Sequence, residues 1–144
     1  ECKGQVTPEF KRLIGYITSF SSGCLYCQAH TILGAERFGS TKERLEEVWN
    51  YSHSSVFSNA EKAALDFAFA AASVPNKVTE KEISKLKNYW DDNDIVEIVG
   101  VISLFGFLNR WNDSMGSALE DLPIEKGEEY LKENTDWQPG KHRV

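Results

Sequence analysis

In the segment Cys24-Leu25-Tyr26-Cys27-Gln28-Ala29-His30, two thiols and an imidazole follow one another at three-residue offsets. Two cysteines so spaced at the start of a helix approach closely enough to form a disulfide. The unpaired N–H groups of a first helical turn stabilise a thiolate there. Lowering a thiol pKa from about 8.5 towards neutrality makes the sulfur a usable nucleophile, because the thiolate attacks and the thiol does not. A peroxide oxygen is a suitable electrophile. The helix end alone favours Cys24 as the more acidic thiol. His30, three residues beyond Cys27 and on its helical face, favours Cys27, with which it can exchange a proton directly or through one water. This second argument selects Cys27 as attacker, Cys24 as resolver and His30 as proton carrier. The expected cycle runs from thiolate to sulfenic acid to a Cys24–Cys27 disulfide, which a dithiol reductant protein must reopen.

Other readings of the same residues follow from their chemistry. Half of a zinc site would need two more ligands, and the chain holds only Cys2, His53 and His142 in reserve, none in a second paired motif. Buried cysteines also serve as small inert apolar residues. A redox-sensing or interaction protein would use the same pair as a switch without turnover. His53, between two serines, and His142, near the end of the chain, read as solvent-exposed. The run Asn109-Arg110-Trp111-Asn112-Asp113 reads as a polar network tying helix ends or holding a subunit contact. No metal and no cofactor is expected.

The elements that must carry these groups read as all-α, about six to eight helices in a single domain over residues 1–144, with 124–144 as a C-terminal extension. Thr7-Pro8 gives an N-cap followed by proline at the first helical position, where its missing N–H costs nothing. Phe10, Leu13, Ile14, Ile17 and Phe20 mark one buried face. Ser21-Ser22-Gly23 breaks that helix, and the cysteine motif opens the next, which runs to Gly39. Ser40 with Glu43, Ser58 with Glu61, and Thr79 with Glu82 have capping-box spacing, and Asp94 with Glu97 opens a later helix. Ala60 to Ala72 is a small-residue helix suited to close packing, ended by Pro75. Ile95 to Leu108 is apolar on nearly all sides, which predicts a central buried helix. Glu125 to Val144 reads as a short helix and then a tail lying on the surface.

Composition narrows the function classes. The 144 residues are 41% hydrophobic, enough for one core, and the formal net charge is -6. An acidic chain offers no basic surface for phosphates or anionic lipid, so neither nucleic acid nor a membrane is expected as partner. Three cysteines leave one unpaired in any disulfide scheme, which fits a reduced, cytoplasmic protein. No apolar stretch follows Glu1-Cys2-Lys3, so no signal peptide is expected.

Gly23-Cys24-Leu25-Tyr26-Cys27-Gln28-Ala29-His30-Thr31 resembles the signature of the alkyl hydroperoxidase D and carboxymuconolactone decarboxylase superfamily. Leu13-Ile14 with Ser19, Phe57-Ser58 with Ala60-Glu61-Lys62-Ala63-Ala64-Leu65, Phe107-Leu108-Asn109-Arg110-Trp111-Asn112-Asp113 and Trp137-Gln138-Pro139-Gly140-Lys141-His142 are similar to its peroxidase-related branch. The resemblance implies a helical domain that assembles into dimers, trimers or hexamers. It implies hydroperoxide reduction through the second cysteine, here Cys27, with electrons from a dithiol partner. It also implies further residues ahead of Thr7. The departures are specific. The glutamate and histidine of the family's proton relay correspond to Arg12 and Tyr26, and Thr31 stands where its other histidine would be, with His30 one place earlier. A lyase acting on a carboxylated lactone is the remote alternative, and would call on Arg12, Arg37 and Arg110 to converge.

Overall fold

The computed structural model describes residues 6–144; Glu1 and Cys2, on which the readings of a chain start and a reserve zinc ligand fall, lie outside the described residues. Among the described residues the fold is all helical, with eight α-helices and two short 3₁₀ turns. Thr7 caps the first helix, α1 (Pro8–Ser22), by accepting from Phe10 N–H at 3.1 Å. Gly23 then takes a left-handed φ of 77°, which glycine adopts without steric cost, and returns its N–H to the Phe20 carbonyl. Cys24 N–H reaches the Ser19 carbonyl at 2.9 Å, and α2 (Leu25–Arg37) begins immediately.

Next come α3 (Lys42–Glu47), a 3₁₀ turn (Val48–His53), α4 (Asn59–Ala72) and α5 (Glu80–Lys87). The capping boxes at Ser58/Glu61 and Thr79/Glu82 form as their spacing predicts. At α3 the cap is Thr41, one residue later than expected, because the Ser40 hydroxyl is spent on Glu9 at 2.7 Å. The long helix α6 (Asp92–Met115) likewise opens on a box of Asp91 and Asp94, three residues before the predicted pair; a short aspartate side chain fills both roles. Arg44 joins α1, α3 and α4 by bridging Glu9 at 3.0 Å and Glu61 at 2.7 Å.

The core is built around α1, which packs on α2, α4 and α6 and buries Leu13, Ile14, Tyr16 and Ile17 completely. At Gly15 α1 and α6 approach closely: a Cβ there would stand 2.5 Å from the Phe105 ring. That approach sets Ser19, one turn on, beside the polar end of α6.

Two further expectations are overturned. The helix α6 is not buried all round. Ile98, Ile102 and Phe105 face the core, whereas Leu104, Phe107 and Trp111 are 55%, 60% and 56% exposed. An all-round apolar pattern does not say which faces this chain itself covers. The C-terminal segment is not a surface tail either. After α7 (Asp121–Tyr130) and α8 (Lys132–Thr135) it returns to the start of α2, burying Leu131, Trp137 and His142, with the Trp137 indole N–H on the Leu25 carbonyl at 3.1 Å. The polar residues predicted to lie on water are spacers between these few anchors. The Trp137 ring covers Gly127 so closely that a Cβ there would be 2.5 Å away. Trp137→Ala should therefore destabilise by about 3–5 kcal/mol, the range for a large buried aromatic. Urea unfolding measures this, and a loss below about 0.5 kcal/mol would restore the surface-tail reading.

Candidate active site

Cys24 is the N-cap of α2, with its sulfur 3.4 Å from the Cys27 N–H, and both thiols are buried and free. Three groups bear on the Cys27 sulfur. The Cys24 thiol and the Asn109 amide favour its anion as hydrogen-bond donors. Asn112 Nδ2 stands at 3.7 Å. The Asn109 Nδ2 also reaches Ser19 Oγ at 2.9 Å, and that hydroxyl donates to the Gly15 carbonyl at 2.8 Å, so the amide is fixed from the α1 side. Gln28 spans to the Ser19 carbonyl at 3.4 Å, which ties the first turn of α2 to the end of α1.

These contacts divide the two sulfurs. Hydrogen bonding from Cys24, helped by Asn109 and Asn112, brings the Cys27 thiol down to about 7 against the opposing effects of burial and the Asp113 carboxylate. Cys24 moves the other way: donating to Cys27 and its own burial keep its proton on. One backbone interaction, the Cys27 N–H on Cys24 Sγ, favours Cys24 as the anion. It is a single long contact, whereas side chains from two helices converge on Cys27, and we assign the thiolate to Cys27. Cys24 and Cys27 are thus brought together as their spacing predicts.

His30 has its Nε2 on Glu120 at 2.9 Å and its ring stacked on Tyr26 at 4.5 Å, at the partly exposed edge of the site. His53 is exposed, against Asn50 at 3.1 Å, as its flanking serines predict. His142 is not exposed. It is 1% accessible, lies 5.6 Å from the Tyr26 ring, and bonds Ser117 O and Asp113. Of the remote arginine set, Arg12 lies over Phe38 and Arg110 folds onto the Gly106 carbonyl of its own helix. Among the described residues no group of three or more His, Cys, Asp or Glu is placed to hold a metal ion.

Sequence reasoning missed that Asn109 and Asn112 bear on this sulfur, having read them as part of a helix-end network. Their three-residue spacing puts them on one face of α6, and that is the only local signal. Asn109 and Asp113 also line a cavity of about 830 Å³ bounded by α1, α4 and α6, together with Ser21, Ser73 and Arg110. The Asn109 Oδ1 has no hydrogen-bond partner among the described residues.

The Carboxymuconolactone decarboxylase family model matches residues 1–70, close to half of the chain. The crystal structure of the debrominase Bmp8 superposes with a TM-score of 0.83 at 32% identity, covering 86% of this chain and 67% of that one. A cysteine-to-alanine variant of that debrominase, in complex with 2,3,4-tribromopyrrole, superposes with a TM-score of 0.82. A protein of unknown function from Agrobacterium tumefaciens, provisionally assigned to the antioxidant defence protein AhpD, shares the fold at a TM-score of 0.71 and 20% identity, over 76% of each chain. Two uncharacterized bacterial proteins are also similar. YdfG of Bacillus subtilis (strain 168) is 25% identical over 74% of each chain, and YnjA of Escherichia coli (strain K12) is 31% identical over 71% of this chain and 53% of its own length.

The pH dependence of Cys27 follows from its contacts. Its alkylation by iodoacetamide should rise as pH passes through about 7 and then level off, as the thiolate fraction saturates. In Asn112→Leu the midpoint should move up. Peptide mass spectrometry across a pH series reads both, and a midpoint at the ordinary thiol value in the unaltered protein would remove the assignment.

Proposed function

The chain belongs to the carboxymuconolactone decarboxylase and alkyl hydroperoxidase D superfamily, and from that premise we propose that it is a two-cysteine thiol peroxidase. The Cys27 thiolate attacks the distal oxygen of a hydroperoxide; the O–O bond breaks, Cys27 becomes a sulfenic acid, and the departing alkoxide takes a proton to leave as alcohol. The Cys24 thiol then displaces the sulfenic oxygen as water, and the 24–27 disulfide forms. A dithiol reductant protein, of the kind a cytoplasmic compartment supplies, returns both thiols by exchange. His30, with Glu120 behind it, carries protons between solvent and the site. The single observation that carries this reading is the convergence of Cys24, Asn109 and Asn112 on one buried sulfur. The unpartnered Asn109 Oδ1 adds an acceptor for a hydroperoxide O–H.

A second reading is favoured by the likeness to a debrominase at 32% identity. The same thiolate could take a bromine from an electron-rich ring: the carbon gains a proton in its place, and Cys24 expels bromide from the sulfur to give the same disulfide. Either substrate leaves the cysteine chemistry intact.

Coupled assays with a dithiol reductant and hydrogen peroxide, cumene hydroperoxide or 2,3,4-tribromopyrrole separate the readings. Peroxide turnover should vanish in Cys27→Ser, while Cys24→Ser should leave a sulfenic acid that dimedone traps. Turnover persisting in Cys27→Ser sinks the assignment. Bromide release without peroxide turnover selects the second reading, and a single oxidation without recycling selects a redox switch.

The exposed side of α6 we assign to a second copy of this chain. Val96, Leu104, Phe107, Trp111 and Met115 are all more than half exposed, and Phe107 stacks on Trp111 at 6.2 Å. Such a continuous apolar face marks an interaction surface rather than a solvated one. No described helix is long and apolar enough to cross a membrane. Sedimentation should give a multiple of 16.3 kDa, and Phe107→Glu with Trp111→Glu should give the single chain. A monomer before substitution would defeat the assignment.

A further inference from the structure

The cavity of about 830 Å³ lies between the C-terminal ends of α1 and α4 and the later turns of α6. Its volume falls within the roughly 300–1,000 Å³ of small-molecule sites. Part of its wall offers hydrogen-bond acceptors that lack donors. Asn109 is 3% exposed; its Nδ2 is held against Ser19 Oγ at 2.9 Å, and its Oδ1 has no partner among the described residues. A buried oxygen of this kind is costly until a donor reaches it. Ser21 and Ser73 line the same space, and both hydroxyls donate to the Phe69 carbonyl at 2.9 Å. A hydroxyl has one hydrogen, so each of these oxygens offers the cavity only lone pairs.

The exposed edge is different. Arg110 reaches only the Gly106 carbonyl of its own helix, at 3.1 Å, and has no carboxylate partner among the described residues. Asp113 also lines the cavity, but its carboxylate is taken up by His142 at 3.1 Å and Lys141 at 3.8 Å. Ala71, Ala72 and Ile102 make an apolar part of the wall.

We propose that this cavity binds an organic carboxylate that has an apolar body and a hydroxyl-type O–H at its far end. The carboxylate pairs with Arg110, the body covers Ala71 and Ile102, and the O–H donates to Asn109 Oδ1. An ammonium in place of the hydroxyl would leave water for neutral oxygens with no free carboxylate to meet it, so a neutral donor fits better. The site does not need the peroxidase reading, in which the O–H at Asn109 is that of a hydroperoxide.

Calorimetric titration of the full reduced chain with ω-hydroxy carboxylates of graded chain length tests this. At the best length the hydroxy acid should bind about tenfold more tightly than the matching fatty acid, which lacks the hydroxyl, and than the matching diol, which lacks the carboxylate. Arg110→Gln should bring the hydroxy acid down to the diol. Gly106 lines the cavity as well, and a Cβ there would meet only Arg110 Nη1, at 3.7 Å, so Gly106→Leu has room to grow into the space. That variant should lose binding while its melting temperature holds or rises, since leucine replaces glycine within a helix. No binding at any length, a fatty acid or diol that binds as tightly, or full affinity in Arg110→Gln or in a folded Gly106→Leu overturns the proposal. Peroxide turnover is read in a separate assay, so either reading can fail without the other.

Discussion

A thiol-to-thiolate hydrogen bond inside the protein is the constraint on which the rest of this structure depends. Taking a sulfur anion out of water is costly, and Cys27 is 3% exposed. The cost is met by donors that need no counter-charge of their own: the Cys24 thiol and the Asn109 and Asn112 amides. Each must be aimed at one atom. The left-handed turn at Gly23 puts Cys24 at the cap rather than inside the helix. The close approach at Gly15 brings α6 near enough for Asn109 to be held by Ser19. Packing between α1, α2 and α6 is thus the geometry of the site as well as the core of the fold.

The same bond assigns the two sulfurs their parts. The donor, Cys24, keeps its proton, and the acceptor, Cys27, is the thiol that ionises more readily. In the cycle proposed above the donor is also the resolving thiol, so the group that stabilises the anion in one step is the group that meets the oxidised sulfur in the next. Position at a helix N-terminus does not by itself make this choice, since the backbone N–H reaches Cys24 while the side-chain donors reach Cys27.

Most of the scaffold was legible in the sequence because its signals are local. Thr7-Pro8, Ser58 with Glu61, and Thr79 with Glu82 satisfy backbone groups within one helical turn, and such pairs read the same in a sequence as in a fold. The three-residue spacing of Cys24 and Cys27 is local too. What escaped is what depends on long-range closure. Asn112 meets a sulfur 85 positions earlier, and Trp137 meets a carbonyl 112 positions earlier. Nothing in a polar ending such as Lys132-Glu133-Asn134-Thr135 says that the next tryptophan is buried. Ser40 and Asp94 misled at helix starts because each has a competing partner, Glu9 for one and Asp91 for the other. The apolar sides of α6 are a different case, since sequence pattern records that a face is apolar and not whether this chain buries it.

Replacing the superfamily's ionisable relay by neutral amides has a physical consequence for how the site can work. A histidine beside the sulfur can exchange a proton with it but also titrates, so its help changes with pH. An asparagine amide only donates, and its help is constant over the range in which Cys27 ionises. In the proposed cycle the proton that leaves with the alcohol or water then comes from elsewhere, and the titratable groups around the motif stand at its margins: His30 on Glu120 at the partly exposed edge, and His142 on Asp113, with Tyr26 between the two imidazoles. Stabilisation of the anion and supply of the proton are therefore assigned to different residues. That separation explains how a chain with Arg12 and Tyr26 at the relay positions can keep an acidic thiol without the family's own proton path.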